Sequence, residues 1–215
     1  MTPPALGVAA DRRSGRRPTR RRASGRRRLL VAVVLITLAI VLAVVLTPLA
    51  RRAINDLTLP LSYASTIREQ SAAKHLDPAL VAAVIYAESK FDPRTSPAGA
   101  EGLMQLMPQT AVFLARRSGG ISFHVSDLGK PRVNIAYGTY LLRYLIDHYE
   151  GNVPLALAAY NAGITNVDRW VAQARVRGRP FTTEQIPYAE TRLYVEKVLD
   201  AQKEYRQTYA KQLGY

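Results

Sequence analysis

The chain has 215 residues and no cysteine, which excludes a disulfide framework and thiol chemistry and leaves room for one ordinary domain with an extension. Its net charge is +14, and the positive charge is unevenly distributed. Residues 1–28 hold ten arginines and one aspartate and therefore carry +9, so the remaining residues carry only +5. This N-terminal stretch is low in apolar residues, and we expect it to be disordered.

Residues 29–50 form an apolar block that contains no charge, and Thr37 and Thr47 are its only polar side chains. Its length suits a membrane-spanning helix of about 20 residues. Because positive charge stays cytoplasmic, the arginines before it predict a cytoplasmic N-terminus and an extracytoplasmic domain. A cleaved signal peptide and a nucleic-acid-binding arm are the alternatives. We prefer a topology-setting tail in residues 1–28, a transmembrane helix in residues 29–50, a connector in residues 51–60 and no nucleic-acid partner.

Residues 61–215 are predicted to form a mainly helical domain, because apolar residues recur at helical spacing and no alternating run suggests a sheet. Start and stop signals bound several helices. Asp77 and Pro78 are typical of an N-cap and a first helical position, and Gly119, Gly151 and Gly163 are typical of helix ends. The predicted helical segments are 61–75, 77–89, 108–119, 131–150, 153–161, 164–174 and 189–205.

Glu88 lies in the segment VAAVIYAESKF and shares a helix face with Leu80, Val81, Val84 and Ile85. A carboxyl group on such a face has a raised pKa, because burial disfavours its charged form. If it is still protonated near neutral pH, it can act as a general acid. Taken alone, a glutamate near a helix end is more often an exposed or capping residue.

Two further segments combine groups that suit a sugar ligand. SPAGAEGLMQLMP contains small residues, which allow close backbone approach, and Met104, Gln105 and Met107. LALAAYNAG places Tyr160 and Asn161 at a helix end. Aromatic surface with amide groups suits a sugar ring and its N-acetyl groups. Each residue also has a structural interpretation: the methionines as core, Asn161 as a C-cap and Tyr160 as packing.

Four motifs resemble, in order, those of the lytic transglycosylases of the soluble-lytic-transglycosylase type, which have a lysozyme-like fold. They are ES at 88–89, GLMQLMP at 102–108, ALAAYNAG at 156–163 and IPYAETRLYVEKV at 186–198. The resemblance spans residues 78–198. It implies an all-α lysozyme-like domain that cleaves the bond between N-acetylmuramic acid and N-acetylglucosamine in peptidoglycan and leaves a 1,6-anhydro end.

The resemblance also implies site residues. Glu88 would be the single acid and base. Contacts to the glycan strand would come from seven further residues: Ser96, Met104, Gln105, Tyr160, Asn161, Glu190 and Tyr194. Ser96 and Gln105 would contact the sugars, and Met104 would line the groove. The loop between Glu88 and Ser96 is one residue shorter than in many relatives. Ser96 is therefore the predicted site residue whose position is expected to differ most from theirs.

Two alternatives accompany this prediction. A hydrolase of the same fold, as in goose-type lysozymes, would be favoured by a second carboxylate across the cleft, and Asp92 and Glu101 are the nearest candidates. A peptidoglycan-binding scaffold without turnover would keep the groove alone. The histidines at 75, 124 and 148 lack metal-ligand spacing. We therefore predict neither a metal nor an organic cofactor.

Overall fold

The computed structural model describes residues 28–44, 59–120 and 122–215. The chain divides into two units, of which the first ends at Ile54 and the second begins at Asn55. The predicted tail 1–28 and connector 51–60 lie almost wholly outside the described residues.

In the first unit, residues 28–44 form helix α1. Its leucines, valines and isoleucines are each 52–67% exposed. Among the described residues, no helix is both long and apolar enough to cross a membrane. The predicted span continues to residue 50, and residues 45–50 lie outside the described part, so the transmembrane helix stays a prediction.

In the second unit, the prediction of a mainly helical domain is confirmed. Residues 59–120 and 122–215 contain no β-strand. Single antiparallel β-bridges join Glu101 to Thr95 and to Leu106. The helices are α2 (Ala64–Ala73), α3 (Pro78–Ser89), α4 (Pro108–Ser118), α5 (Pro131–His148), α6 (Val153–Ala162), α7 (Ile164–Val176), α8 (Ala189–Thr208) and α9 (Ala210–Leu213), with short 3-10 turns at Val125–Gly129 and Thr183–Gln185.

Helix α3 is the centre of the core. Every residue from Ala79 to Ile85 is buried, so the helix is apolar around its circumference rather than along one stripe. At its N-terminus the Asp77 side chain accepts a hydrogen bond from the Ala79 amide at 2.9 Å, and Pro78 occupies the first turn. α8 packs along α3 and contributes Val195 and Val198 to the same core.

The helix ends follow the predicted signals. Gly119 and Gly163 have φ values of 75° and 85° at the ends of α4 and α6, a region that favours glycine. α3 ends differently, because Lys90 and Phe91 adopt positive φ values of 53° and 63° without being glycine. The chain therefore turns sharply just after Glu88. The two 3-10 turns and α9 were not predicted, since segments of three to five residues carry too little periodicity.

Candidate active site

Glu88 lies in the last turn of α3 and faces α8. The Tyr194 hydroxyl donates a hydrogen bond to Glu88 Oε1 at 2.7 Å. Burial raises the pKa of Glu88 to about 7, although the hydrogen bond from Tyr194 and the charge of Lys197 both act to lower it. Desolvation therefore outweighs both. A substantial fraction of Glu88 holds its proton at neutral pH, as a general acid requires.

Lys197 lies one helical turn after Tyr194, and its ammonium is held near Glu88. Its Nζ donates to the Ala87 carbonyl at 3.1 Å and lies 5.3 Å from the centre of the Tyr86 ring. A cation at the C-terminal end of a helix interacts favourably with the carbonyls there. This placement lets Lys197 stabilise the ionised form of Glu88.

Tyr160 and Tyr194 form a pair of phenols close enough to Glu88 for its charge to act on them. Burial, and then the negative charge of Glu88, raise the pKa of both well above the ordinary value. Both phenols therefore stay protonated and act as donors. Tyr194 donates to Glu88 itself, whereas Tyr160 donates to the Met104 carbonyl at 2.8 Å. Tyr160 thus ties α6 to the loop that follows α3.

The side chains of Ser96 and Gln105 shape the loop between α3 and α4. Ser96 Oγ accepts from the Ala100 amide at 3.0 Å. Gln105 has a positive φ of 45°, and its Nε2 donates to the carbonyls of Arg94 and Gly102 at 2.8 and 2.7 Å. These bonds engage the hydroxyl of Ser96 as an acceptor and the amide nitrogen of Gln105 as a donor. The Gln105 side-chain oxygen has no hydrogen bond within the described residues.

The structure corrects the role predicted for Met104. Its side chain was expected to line the groove, but it is completely buried. The reason is Gly138 in α5: a Cβ atom there would lie 2.3 Å from Met104 Sδ, so the thioether occupies the space that the glycine leaves. Met104 acts through its backbone instead, since its carbonyl accepts from Tyr160.

The remaining predicted residues lie at the start of α8 and the end of α6. Asn161 is exposed, and its Oδ1 accepts from Thr191 Oγ1 at 2.8 Å, which joins the end of α6 to the first turn of α8. Glu190 is exposed in that first turn. The predicted contacts of Ser96, Gln105, Asn161 and Glu190 with sugars stay predictions.

Neither candidate for a second catalytic carboxylate interacts with Glu88. Asp92 is exposed, and its Oδ2 lies 3.5 Å from a guanidinium nitrogen of Arg94. Glu101 accepts a hydrogen bond from Thr95 Oγ1 at 2.9 Å. The interactions that set the pKa of Glu88 come from Tyr194 and Lys197, and no carboxylate of the described residues is among them. In residues 28–44, 59–120 and 122–215 no group of three or more His, Cys, Asp or Glu side chains is placed to hold a metal ion.

Comparison with known proteins agrees with this geometry. Residues 65–179 match the family described as the Transglycosylase SLT domain. The chain belongs to this family.

The chain is also similar to named lytic transglycosylases. The soluble lytic murein transglycosylase of Salmonella typhimurium is 35% identical over 156 residues, which cover 68% of this chain and 23% of that protein. Among solved structures, the 70 kDa soluble lytic transglycosylase of Escherichia coli has a TM-score of 0.66 at 32% identity and covers 72% of this chain and 26% of that one.

The lytic transglycosylase Slt of Pseudomonas aeruginosa, solved as an inactive mutant in which glutamine replaces a glutamate, has a TM-score of 0.65 at 32% identity. The match covers 73% of this chain and 26% of that chain. The chain therefore spans about a quarter of the length of these relatives. Its second unit has the mainly helical, lysozyme-like fold of the lytic transglycosylases.

Three side chains that hold the candidate site together were not predicted from the sequence: Lys197, Thr191 and Asn134. The first two lie in the segment 186–198, so a helical projection from Tyr194 would have placed both near its face of α8. Asn134 is different. It is a fully buried amide on α5 that donates to the carbonyls of Glu101 and Leu128 and accepts from the Met104 amide. No local pattern points to it.

Replacing Lys197 by methionine is expected to raise the pKa of Glu88, because the substitution removes a positive charge that favours the carboxylate. Glu88 would then stay protonated to higher pH, so the basic limb of the kcat/KM profile should move to higher pH. Lys203→Met is the matched control on the same helix, since Lys203 pairs with Asp200 at 3.0 Å. An unchanged basic limb in Lys197→Met would contradict the electrostatic role.

The raised pKa of Glu88 also predicts how stability depends on pH. The folded state has a pKa of about 7, against an ordinary value of 4.5, so it binds more protons than the unfolded chain between these values. The stabilisation is therefore complete below about pH 4.5 and is lost as the pH rises through 7. Relative to Glu88→Gln, the wild type should lose about 3 kcal/mol of unfolding free energy over this interval. Urea unfolding at several pH values measures it, and parallel profiles would refute the shift.

Proposed function

We propose that this protein is a membrane-anchored peptidoglycan lytic transglycosylase. The observation that carries the proposal is the environment of Glu88, a carboxyl group with a pKa of about 7 that is held by Tyr194 and has no acidic neighbour among the described residues. Most glycosidases use two carboxylates. A reaction whose nucleophile belongs to the substrate needs only one, which acts first as an acid and then as a base.

The proposed reaction consumes no water. Glu88 donates its proton to the oxygen of the β-1,4 bond between N-acetylmuramic acid and N-acetylglucosamine, and the bond to the anomeric carbon of the muramic sugar breaks. The 6-hydroxyl of that sugar then attacks the same carbon, and its proton returns to Glu88. The products are a free 4-hydroxyl and a 1,6-anhydro end. Glu88 regains its proton, so the cycle is balanced.

Tyr194 and Lys197 suit the second half of this cycle. After proton donation Glu88 is an anion in a largely desolvated place, where a charge is costly. The Tyr194 hydroxyl donates to it, and the Lys197 ammonium lowers its pKa. Both interactions strengthen as charge develops on Glu88, which is the condition for stabilising a transition state rather than a ground state.

The relatives support the same reaction class. The Salmonella protein is named a soluble lytic murein transglycosylase, and the Pseudomonas structure is an inactive mutant with glutamine in place of a glutamate. An essential glutamate in a relative is consistent with one carboxyl group as the acid and base.

We propose that residues 29–50 anchor the enzyme. The support is the charge-free apolar block, the arginines before it, and the exposure of the apolar side chains of α1 within the described residues. The N-terminus would then be cytoplasmic and the catalytic domain extracytoplasmic, where peptidoglycan lies.

Mass spectrometry of purified peptidoglycan after digestion with the full chain tests the activity. Muropeptides lighter by one water are the expected products, because the anhydro ring forms without hydrolysis. Reducing muramic ends would instead show a hydrolase and would overturn the single-carboxylate mechanism. The absence of any soluble product would favour a binding scaffold and contradict the enzymatic proposal.

A further inference from the structure

A cavity of about 320 Å³ lies beside the second half of α7 and the segment 177–187, and neither Tyr194 nor Lys197 lines it. Its volume is within the range of small-ligand sites. The lining combines three kinds of group: aromatic rings, side-chain amides and guanidinium groups. They belong to Trp170, Phe181, Gln173, Gln185, Arg177 and Arg179.

All the charged side chains that line this cavity are positive. No acidic side chain lines it, and within the described residues neither Arg177 nor Arg179 has an ion-pair partner. Glu184 is the acid that is nearest in sequence; its carboxylate accepts from Thr183 Oγ1 at 3.3 Å, and it is not part of the lining. Guanidinium groups bind carboxylates through paired, charge-assisted hydrogen bonds.

The backbone that carries the two arginines is ordered by hydrogen bonds to the end of α7. The amides of Arg177 and Arg179 both donate to the Ala174 carbonyl, at 3.0 and 3.1 Å, and Gly178 between them has a positive φ of 66°. A glycine adopts this conformation without strain. The backbone of both arginines is therefore held in a closed turn, although their side chains are exposed.

A contact between aromatic rings connects the lining of the cavity to α8. Trp170 is 6% exposed and packs edge-on against Tyr188, with ring centres 5.0 Å apart. Tyr188 is the N-cap of α8. It precedes Tyr194 by six residues, a distance of about 9 Å along a helix. Trp170 is therefore joined to the residue that bonds Glu88 through one ring contact and less than two turns of α8.

We propose that this cavity binds a carboxylate of the peptide stem that branches from the muramic sugar of the glycan strand. The inference rests on the proposed function, since it assumes a peptidoglycan substrate. Arg177 and Arg179 would hold the carboxylate, Gln173 and Gln185 would bond the peptide amides, and Trp170 and Phe181 would cover the apolar side chains of the stem. The enzyme would then distinguish strands with stems from bare glycan.

Trp170 provides a direct probe, because it is the only tryptophan of the chain. The full-length Glu88→Gln protein is titrated with a disaccharide that carries a peptide stem with free carboxylates, and separately with the same disaccharide after the stem has been removed. We expect a saturable change in Trp170 emission with the first compound and none with the second. Equal responses to both would overturn the proposal.

The arginines are tested in the same background. Arg177→Gln with Arg179→Gln should weaken binding of the stem-bearing compound about tenfold or more, and the corresponding double lysine variant should recover part of it. Arg116→Gln is the matched control, since Arg116 is an exposed arginine that lines a different cavity. Unchanged affinity in the double glutamine variant would refute the site.

This experiment separates the two proposals. Binding without cleavage by the wild type would retain the stem site and refute the proposed activity. Cleavage of strands with and without stems at equal rates, together with unaltered Trp170 emission, would retain the activity and refute the stem site.

Discussion

Replacing Glu88 by glutamine is expected to lower the rate of glycan cleavage by roughly three orders of magnitude, with the fold unchanged. The glutamine amide cannot donate a proton to the glycosidic oxygen, nor accept one from the 6-hydroxyl. Its side-chain oxygen can still accept the hydrogen bond that Tyr194 donates to Glu88 Oε1. Release of soluble muropeptides from purified peptidoglycan measures the rate, and circular dichroism with thermal unfolding checks the fold.

Asp92→Asn and Glu101→Gln are the matched controls for this prediction, because each also removes one carboxylate from the region around the α3–α4 loop. Neither side chain bonds Glu88. Asp92 forms an ion pair with Arg94, and Glu101 accepts a hydrogen bond from Thr95. We expect each variant to keep cleavage within a few-fold of the wild type. Substantial turnover by Glu88→Gln, or a comparable loss in either control, would contradict the assignment of a single catalytic carboxyl group.

Replacing Asn134 by alanine is expected to destabilise the domain by about 3 kcal/mol or more. The side chain is fully buried and makes three hydrogen bonds: it accepts from the Met104 amide at 2.7 Å and donates to the carbonyls of Glu101 and Leu128 at 2.8 and 3.1 Å. Alanine leaves these three backbone groups without their partner and opens a cavity. Urea unfolding measures the loss, which should also appear as a lower Tm.

The control for Asn134 is Asn166→Ala. Asn166 is half-buried on α7, and its amide donates one hydrogen bond to the Ala162 carbonyl at 2.8 Å. Losing a single bond of this kind should cost about 1 kcal/mol. If the two variants unfold at the same urea concentration, the network around Asn134 does not hold the α3–α4 loop as the structure indicates.

The helices of the second unit were predictable from local signals. Asp77 and Pro78 fix the start of α3, and Gly119 and Gly163 fix the ends of α4 and α6, because capping and positive φ values depend on a few adjacent residues. Helical spacing predicted that Glu88 shares a face with buried residues, but α3 is buried all round from Ala79 to Ile85, which spacing did not indicate. The order of the four motifs then indicated the family.

The remaining details depend on contacts between distant segments. Met104 was expected in the groove, but the space beside Gly138 in α5 accommodates its side chain, and only the packed structure shows that fit. Asn134 bonds groups up to 33 residues away in sequence. Lys197 reaches the Ala87 carbonyl across 110 residues. Periodicity and capping depend on neighbouring residues, so they do not predict contacts between residues that are distant in sequence.

The contact between Glu88 and Tyr194 joins residues that are 106 positions apart, so the ribosome completes α3 long before α8. At a synthesis rate of about 5–20 residues per second, this interval lasts roughly 5–20 s. Until α8 docks, Glu88 lacks the Tyr194 hydroxyl, the Lys197 charge and the cover that α8 gives it, so we expect its pKa to stay nearer the ordinary 4.5. The proton donor is therefore expected to form in a late step of biosynthesis, after α8 has been completed.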